Sequence, residues 1–286
     1  IRPDLIMLSM TLFGQDGPYR DYFGYGGPLP VFTGLASITG YPGGTPQTVG
    51  ASWPDPLNGV NATIALLAAI YHRRCTGEGQ HIDHAMAEGA LATLPIGVME
   101  YALNGRVPGL EGNRDRHAAP HNVYRCQGDD QWVAVAVESE AQWHAFCVAA
   151  GHIEWLSDTR FESLAQRKAN EDALDGLVGR WTSGRAKEAV ADLLLGHGIP
   201  ASASLNRAEV AADPHLIERG AFVPIISPLD GRARPVPAAP WHFTGRPAGR
   251  YGQPPRVGEH NWAVFGDLLG LSEGEVEELR ADGALN

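Results

Sequence analysis

Apolar positions along this chain change their spacing several times, and each change marks an element. "DLIMLSM" (4–10) is a short unbroken apolar run that stops at the turn-forming "FGQDGPY", the pattern of a buried strand at a sheet edge, and such a strand belongs to an α/β domain. From Gly24 to Pro54 glycine and proline punctuate the chain, which predicts a long ordered loop with short helical pieces; a loop of that length in a compact domain is usually functional. Leu57, Val60, Ile64, Leu67, Ala68 and Tyr71 then recur at helical spacing, followed by His72, Arg73, Arg74 and a stop at Gly77 and Gly79. That helix is expected to pack through its apolar stripe. "GQHIDHAMAEGALATL" predicts an extended piece turning into a second helix over 86–103. After the polar loop "NGRVPGLEGNRDRHAAPHN", the alternation in "QWVAVAVES" predicts a strand and opens a new unit, so a boundary is placed near residue 106.

Beyond that boundary, 140–152 and 169–196 predict helices, the latter broken at "TSG", and "HGIPASASLN" a short strand. Asp213 and Pro214 predict a capped helix start. The Pro-rich stretch 228–255 predicts little regular structure. Ser272 and Glu275 form a capping box, and Gly283 ends the last helix. The resulting plan is 1–105, 106–227 and 228–286.

Composition narrows the function. The 286 residues are 44% hydrophobic and 19% charged, the profile of a globular protein. "LIMLSMTLF" is about half the length of a membrane span, and no export signal is visible, so no membrane is expected. A net charge of −11, with basic residues scattered, argues against nucleic acid. Three cysteines without a CxxC pair predict buried thiols in a reducing cytoplasm. His81 with His84 and His117 with His121 lack a third ligand at useful spacing, so no metal is expected. The first residue, Ile1, leads straight into what reads as a mid-domain strand, so further residues are expected upstream.

One carboxylate stands out. Asp55 lies between Pro54 and Pro56 at the start of the first long helix, where it predicts an N-cap with Pro56 as the first helical residue. The prolines and Gly59 also fix the backbone around it and leave room for close approach to the first turn. A carboxylate needs no general base to attack, but it is a weak nucleophile, so its rate must come from orientation against a reactive carbonyl such as a thioester and from donors to the oxyanion. No GxSxG, QACxG or Walker loop competes, and the glycines are too irregular for GxGxxG.

"SMTLFGQDGPYRDYFGYG", "GLASITGYPGGTPQTVG" and "DPLNGVNATIALLAAIYHRRCTGEGQHIDHAMAEG" resemble, in order and spacing, the class III (CaiB/BaiF-like) CoA-transferase family, which includes formyl-CoA, carnitine and benzylsuccinate CoA transferases. The resemblance continues through "GNRDRHAAPHNVYRC", "DPHLIERGAF" and "PPRVGEHNWAVFGDLLGLSEGEVEELRADG". Its most specific element is D-x-x-x-G, a helix and then "RTG-x-GQ", here Asp55 to Gly59 and "RRCTGEGQ" with Cys75 inserted.

The resemblance implies a Rossmann-like large domain, partial here, with a small α+β domain, and an interlocked dimer of identical or related chains. It implies that coenzyme A and its thioesters are substrates, with a carboxylic acid as partner and no permanently bound cofactor. It puts the nucleophile on Asp55, contacts to CoA on Thr11, Leu12, Phe13, Gly14 and Met86, and a substrate loop on His117, Ala118 and Ala119. This chain lacks the glycine run of formyl-CoA transferase in that loop. It also reads Phe23-Gly24-Tyr25-Gly26 where the similar α-methylacyl-CoA racemase carries the acid/base His of Gly-His-Asp, and tyrosine is poorly matched to α-proton abstraction. Gly26 stands where many transferases have Asp. A non-catalytic partner subunit is the remaining alternative, against which the Asp55 motif argues.

Overall fold

The computed structural model describes residues 2–50, 53–245, 249 and 251–285. Ala51 and Ser52, at the end of the expected long loop, and part of the Pro-rich stretch 228–255 lie outside the described residues. The chain is mixed α/β and divides into two compact units, Ile1–Ala203 and Ser204–Asn286. Residue 106 falls inside the first.

The first unit opens with β1 (Met7–Thr11), which pairs in parallel with β2 (His81–Ala85), Met7 opposite His81 and Thr11 opposite Ala85. Parallel pairing requires a long crossover. Here it consists of the Gly/Pro loop with the short helices α1 (Leu29–Phe32) and α2 (Leu35–Ile38), and then α3 (Pro54–Thr76). Gly77 ends α3 in a left-handed conformation, and its N–H bonds the Arg73 carbonyl at 2.8 Å. Gly79 acts through its lack of a side chain. A Cβ there would collide with the Leu5 carbonyl, so the bare backbone lets β2 lie alongside β1.

The face by which α3 packs corrects the sequence expectation. Its buried residues are Pro54, Asn58, Ala62 and Ala69. Val60, Ile64, Leu67 and Tyr71, the expected packing stripe, are 61%, 62%, 61% and 71% exposed in this chain. Small side chains let the helix approach β1, β2 and α4 (Met86–Leu91) closely, whereas the bulky stripe would hold it away. The single helix expected over 86–103 is two, α4 and α5 (Pro95–Asn104), because Pro95 cannot donate within a continuing helix and suits the start of a new one.

The rest of this unit is a three-stranded antiparallel sheet, β3 (His121–Arg125), β4 (Trp132–Ala136) and β5 (Ala201–Ala203), with β4 central. Against it lie α6 (Glu140–Ala150), α7 (Leu164–Ala169), α8 (Glu171–Ser183) and α9 (Lys187–Gly196). Val133, Val135, Phe146, Phe161, Leu174, Val178, Val190, Leu194 and Ile199 fill the space between. Buried Arg167 donates to the carbonyls of Ala119 at 2.9 Å and Phe161 at 3.2 Å, and pairs with Glu140 at 2.9 Å.

The second unit carries α10 (Arg207–Ala212), α11 (Pro214–Glu218), β6 (Phe222–Ile226), β7 (Ala233–Pro237), a π-helical segment (Trp262–Leu268) and α12 (Glu273–Ala281). Asp213 accepts from the Leu216 N–H at 2.9 Å as the cap of α11, and Ser272 with Glu275 forms the capping box of α12. β7 lies in the stretch read as irregular. It pairs antiparallel with β6, and its prolines are tolerated because each strand of a two-stranded ribbon has a free edge. No helix among the described residues is long and apolar enough to cross a membrane.

Candidate active site

Asp55 is not the cap of α3. Trp53 occupies the cap position with helical angles, Pro54 is the first helical residue and Asp55 the second. Proline at the first position sacrifices no intrahelical hydrogen bond, so the helix starts one residue earlier than its acidic residue alone suggests. The carboxylate is half-buried within the first turn, where the helix dipole favours an anion. Among the described residues no hydrogen bond or ion pair engages it.

The turn that carries it is tied down by Asn58, which is fully buried. Its amide donates to the Pro54 carbonyl at 2.8 Å and to the Met86 carbonyl at 3.1 Å. Its oxygen accepts from His84 Nε2 at 2.8 Å. One side chain thus joins the first turn of α3 to the end of β2 and the start of α4. Gly89 lies against this amide, and a Cβ there would overlap the Asn58 oxygen. Asparagine is a poor interior helix residue, and that is the signal in the sequence that could have drawn attention to it.

The approach expected beside Gly59 is absent: nothing among the described residues comes within 4 Å of the place its Cβ would take. The neighbour that does approach the first turn is Gly26, buried in the long loop. A Cβ on Gly26 would stand 2.5 Å from Asp55 Oδ2 and 2.6 Å from Cγ.

On either side of Gly26, Tyr25 and Gly27 line a cavity of about 670 Å³ whose other walls include Leu12, Phe13, Tyr22, Phe23 and Phe32. Phe13 and Phe32 meet edge to face with centroids 4.7 Å apart. Of the residues to which the resemblance assigns CoA contact, Leu12, Phe13 and Met86 share one apolar cluster with Leu29 and Ala87. Thr11 ends β1 opposite Ala85, and its buried hydroxyl has no partner among the described residues. Gly14 turns the chain away with φ 87°, beside Asp83, whose carboxylate accepts from the Gln15 N–H at 2.9 Å.

His117 lies elsewhere, in the wall of a cavity of about 750 Å³ shared with Glu100, Glu111, Arg114, Asp115 and Arg116. That cavity has no lining residue in common with the first. Arg114 is committed to Asp172 at 2.5 Å and Asp175 at 3.0 Å, with Glu171 at 3.6 Å, and these acids hold its guanidinium firmly charged. Ala118 and Ala119 are buried, and Ala119 belongs to the core of the three-stranded sheet, with its carbonyl held by Arg167. His81 is bonded to Ser9 at 2.9 Å and His121 to the Asn113 carbonyl at 2.6 Å. Among the described residues no group of three or more potential ligands could hold a metal ion.

Comparison with known proteins gives this arrangement its context. The chain is 31% identical over 281 residues to the succinyl-CoA–D-citramalate CoA-transferase of Chloroflexus aurantiacus, an alignment spanning 98% of this chain and 69% of that protein. It is 28% identical over 288 residues to the succinyl-CoA–L-malate CoA-transferase beta subunit of the same organism, spanning 98% of this chain and 70% of the relative. A crystal structure of a CaiB/BaiF family protein from Brucella suis superposes with a TM-score of 0.83 at 29% identity, over 93% of this chain and 68% of that one. These matches define an enzyme class, that of transferases acting on CoA thioesters. Within it, the chain belongs to CoA-transferase family III, whose profile matches residues 1–261.

Proposed function

We propose that the protein moves CoA from an acyl-CoA to a free carboxylic acid, with Asp55 as the nucleophile. The observation that carries this reading is a carboxylate at a helix start, free of hydrogen-bonded partners among the described residues, beside an aromatic-walled cavity. An Asp55 oxygen attacks the thioester carbonyl carbon, the C–S bond breaks, and CoA leaves as thiolate, giving an aspartyl-acyl anhydride. The thiolate then attacks the aspartyl carbonyl, releasing the donor acid as carboxylate and leaving an aspartyl-CoA thioester. An acceptor carboxylate displaces CoA from that thioester to form a second anhydride. Attack of CoA thiolate on the acceptor's acyl carbon then yields the new acyl-CoA and frees Asp55.

In this reading Thr11, Leu12, Phe13, Gly14 and Met86 contact CoA, supported by the apolar cluster they share in part. Of the loop the resemblance offers to the acid, His117 lines a cavity and is the residue assigned to it, whereas Ala118 and Ala119 are buried; the native assembly is a dimer of identical or related chains, interlocked, with Rossmann-like and small α+β parts. Succinyl-CoA is the donor to try first, since it appears in the names of both relatives.

Asp55→Ala tests the reading. Transfer from succinyl-CoA to a panel of acids is expected to fall by on the order of 10⁴-fold or more. The stability change stays within about 0.3–1 kcal/mol, because the residue interacts with the helix dipole and caps nothing. Hydroxylamine should trap acylated wild-type protein on the peptide containing Asp55. Undiminished transfer by the variant, or a label on another peptide, would remove Asp55 from the mechanism.

A further inference from the structure

We infer that His84 is a positioning residue for the nucleophile: it fixes which way the Asn58 amide faces and, through that amide, the peptide that carries Asp55. The inference rests on the nucleophilic role proposed above. Asn58 is fully buried, so each of its amide atoms needs a partner inside the fold. One of them meets the Pro54 carbonyl at 2.8 Å and the Met86 carbonyl at 3.1 Å. Carbonyl oxygens only accept, so that atom is the nitrogen, and both its protons are committed. The other atom is then the oxygen, and among the described residues the group that meets it is His84 Nε2, at 2.8 Å. His84 must therefore carry a proton on Nε2, since a bare nitrogen would set two lone pairs face to face. Strand alternation supplies the reach. Asp83 turns to the Gln15 N–H on one face of β2, and His84, one residue on, turns to α3 on the other.

The two carbonyls show what this lock controls. The Pro54 carbonyl shares a peptide plane with the Asp55 N–H, so the amide holds the plane from which the Asp55 side chain projects. The Met86 carbonyl shares a plane with the Ala87 N–H, which donates to the Leu12 carbonyl at 2.9 Å, and Leu12 lines the aromatic cavity. A continuous run of hydrogen bonds thus joins His84 to Asn58, and Asn58 both to the nucleophile's turn and to the cavity wall; the members of such a run orient and polarise one another. Without the Nε2 proton the Asn58 oxygen is buried with no donor, and turning the amide over would aim that oxygen at two carbonyls. Either way the Pro54–Asp55 plane loses its tether. His84 touches no reacting atom and acts through Asn58. A nucleophile misplaced by about 1 Å loses on the order of 10²-fold in rate, and the smaller play freed here about tenfold.

The test has a spectroscopic and a kinetic arm, both on the full chain. In protein labelled with 15N-histidine, at a pH where the ring is neutral, the His84 signals, identified by their loss in His84→Gln, should show the proton on Nε2 and none on Nδ1; the opposite tautomer overturns the inference. In transfer from succinyl-CoA to the best acceptor acid, His84→Phe keeps a flat ring and loses the donor. Its kcat per folded molecule should fall on the order of tenfold, with KM for the acyl-CoA within about twofold of wild type and a proportionately slower appearance of hydroxylamine-trapped enzyme. His84→Gln places an amide nitrogen near the position of Nε2 and should keep kcat within about threefold of wild type. Wild-type kcat in His84→Phe, a rise in KM with kcat unchanged, or a loss that Gln does not restore overturns the positioning role. Should His84→Phe not fold, His84→Leu carries the same expectation; failure of both to fold beside a folded His84→Gln makes the donor a requirement of the fold and overturns the role as well. Activity in Asp55→Ala overturns the parent reading instead, so the two failures are distinct.

Discussion

The two halves of the first unit are built differently. Around β3, β4 and β5, the aromatic residues Trp143, Phe146, Trp155, Phe161 and Trp181 interlock, with the Phe146 centroid 5.6 Å from that of Trp181 and 5.9 Å from that of Trp143. Even the charged Arg167 is enclosed there, with its guanidinium 5.1 Å from the Trp143 ring centre. Around β1, β2 and α3 the buried apolar cluster is Leu12, Leu29 and Ala87 with Phe13 and Met86 at its edge, and a row of large side chains on α3 faces outward. The first region is held by volume, the second by a few polar pins and close backbone approaches. The catalytic candidate sits in the second. Tight packing would have covered Asp55, whereas Asn58, Gly79 and Gly26 hold the elements around it and leave its carboxylate half-exposed.

From that contrast, substitutions in the two regions should differ in kind. Phe146→Ala, in the enclosed core, should cost about 3–5 kcal/mol in urea unfolding followed by tryptophan fluorescence; a loss below about 1 kcal/mol would show that the core collapses around the gap. Asn58→Ala should cost about 1–3 kcal/mol, since it leaves buried carbonyls without their donor, and should lower transfer activity beyond its effect on stability. Equal activity and stability losses would reduce Asn58 to an ordinary buried amide.

A third, smaller effect is pH-dependent. Hydrogen bonds from Arg167 hold the Glu140 carboxyl below its ordinary range. The proton binds more weakly in the fold than in the unfolded chain, so the stabilisation is complete above the ordinary glutamate pKa and fades as pH falls through the lower folded value. Because Glu140 is 60% exposed, the effect is modest, and Glu140→Gln should flatten the acid limb of the stability profile. An unchanged acid limb would assign that pH dependence to other carboxylates. Smallest of all, Ile64→Ala on the exposed stripe of α3 should change the stability of this chain by no more than about 0.5 kcal/mol; a large loss would mean that the stripe is covered in solution.

Much of the local structure was legible in the sequence. The helix stop at Gly77, the cap at Asp213 and the box at Ser272 and Glu275 each follow from side chains acting on their own or adjacent backbone. The strand expected over 4–10 is present as Met7–Thr11, but Leu5, Met7 and Met10 are exposed in this chain and not buried as its apolar run suggested. The buried face of α3 was not legible, because a stripe of large apolar residues looks the same whether this chain or something else covers it. Nor was β7, since prolines argue against a strand unless its edges are known to be free.

The site divides along the same line. Spacing alone singled out Asp55, through the prolines around it and the helix that follows, and the order of motifs pointed to the family that the profile match establishes. Position along the chain could not tell that Asp55 sits inside the helix, or that Asn58 pins its turn to Met86 and His84. Least of all could it tell that Gly26, and not Gly59, is the glycine against the carboxylate. Helix starts and stops are set by sterics and hydrogen bonds between near neighbours, which sequence records directly. Which backbone meets which side chain across an irregular loop depends on the path of the whole chain, and only the tertiary structure decides it.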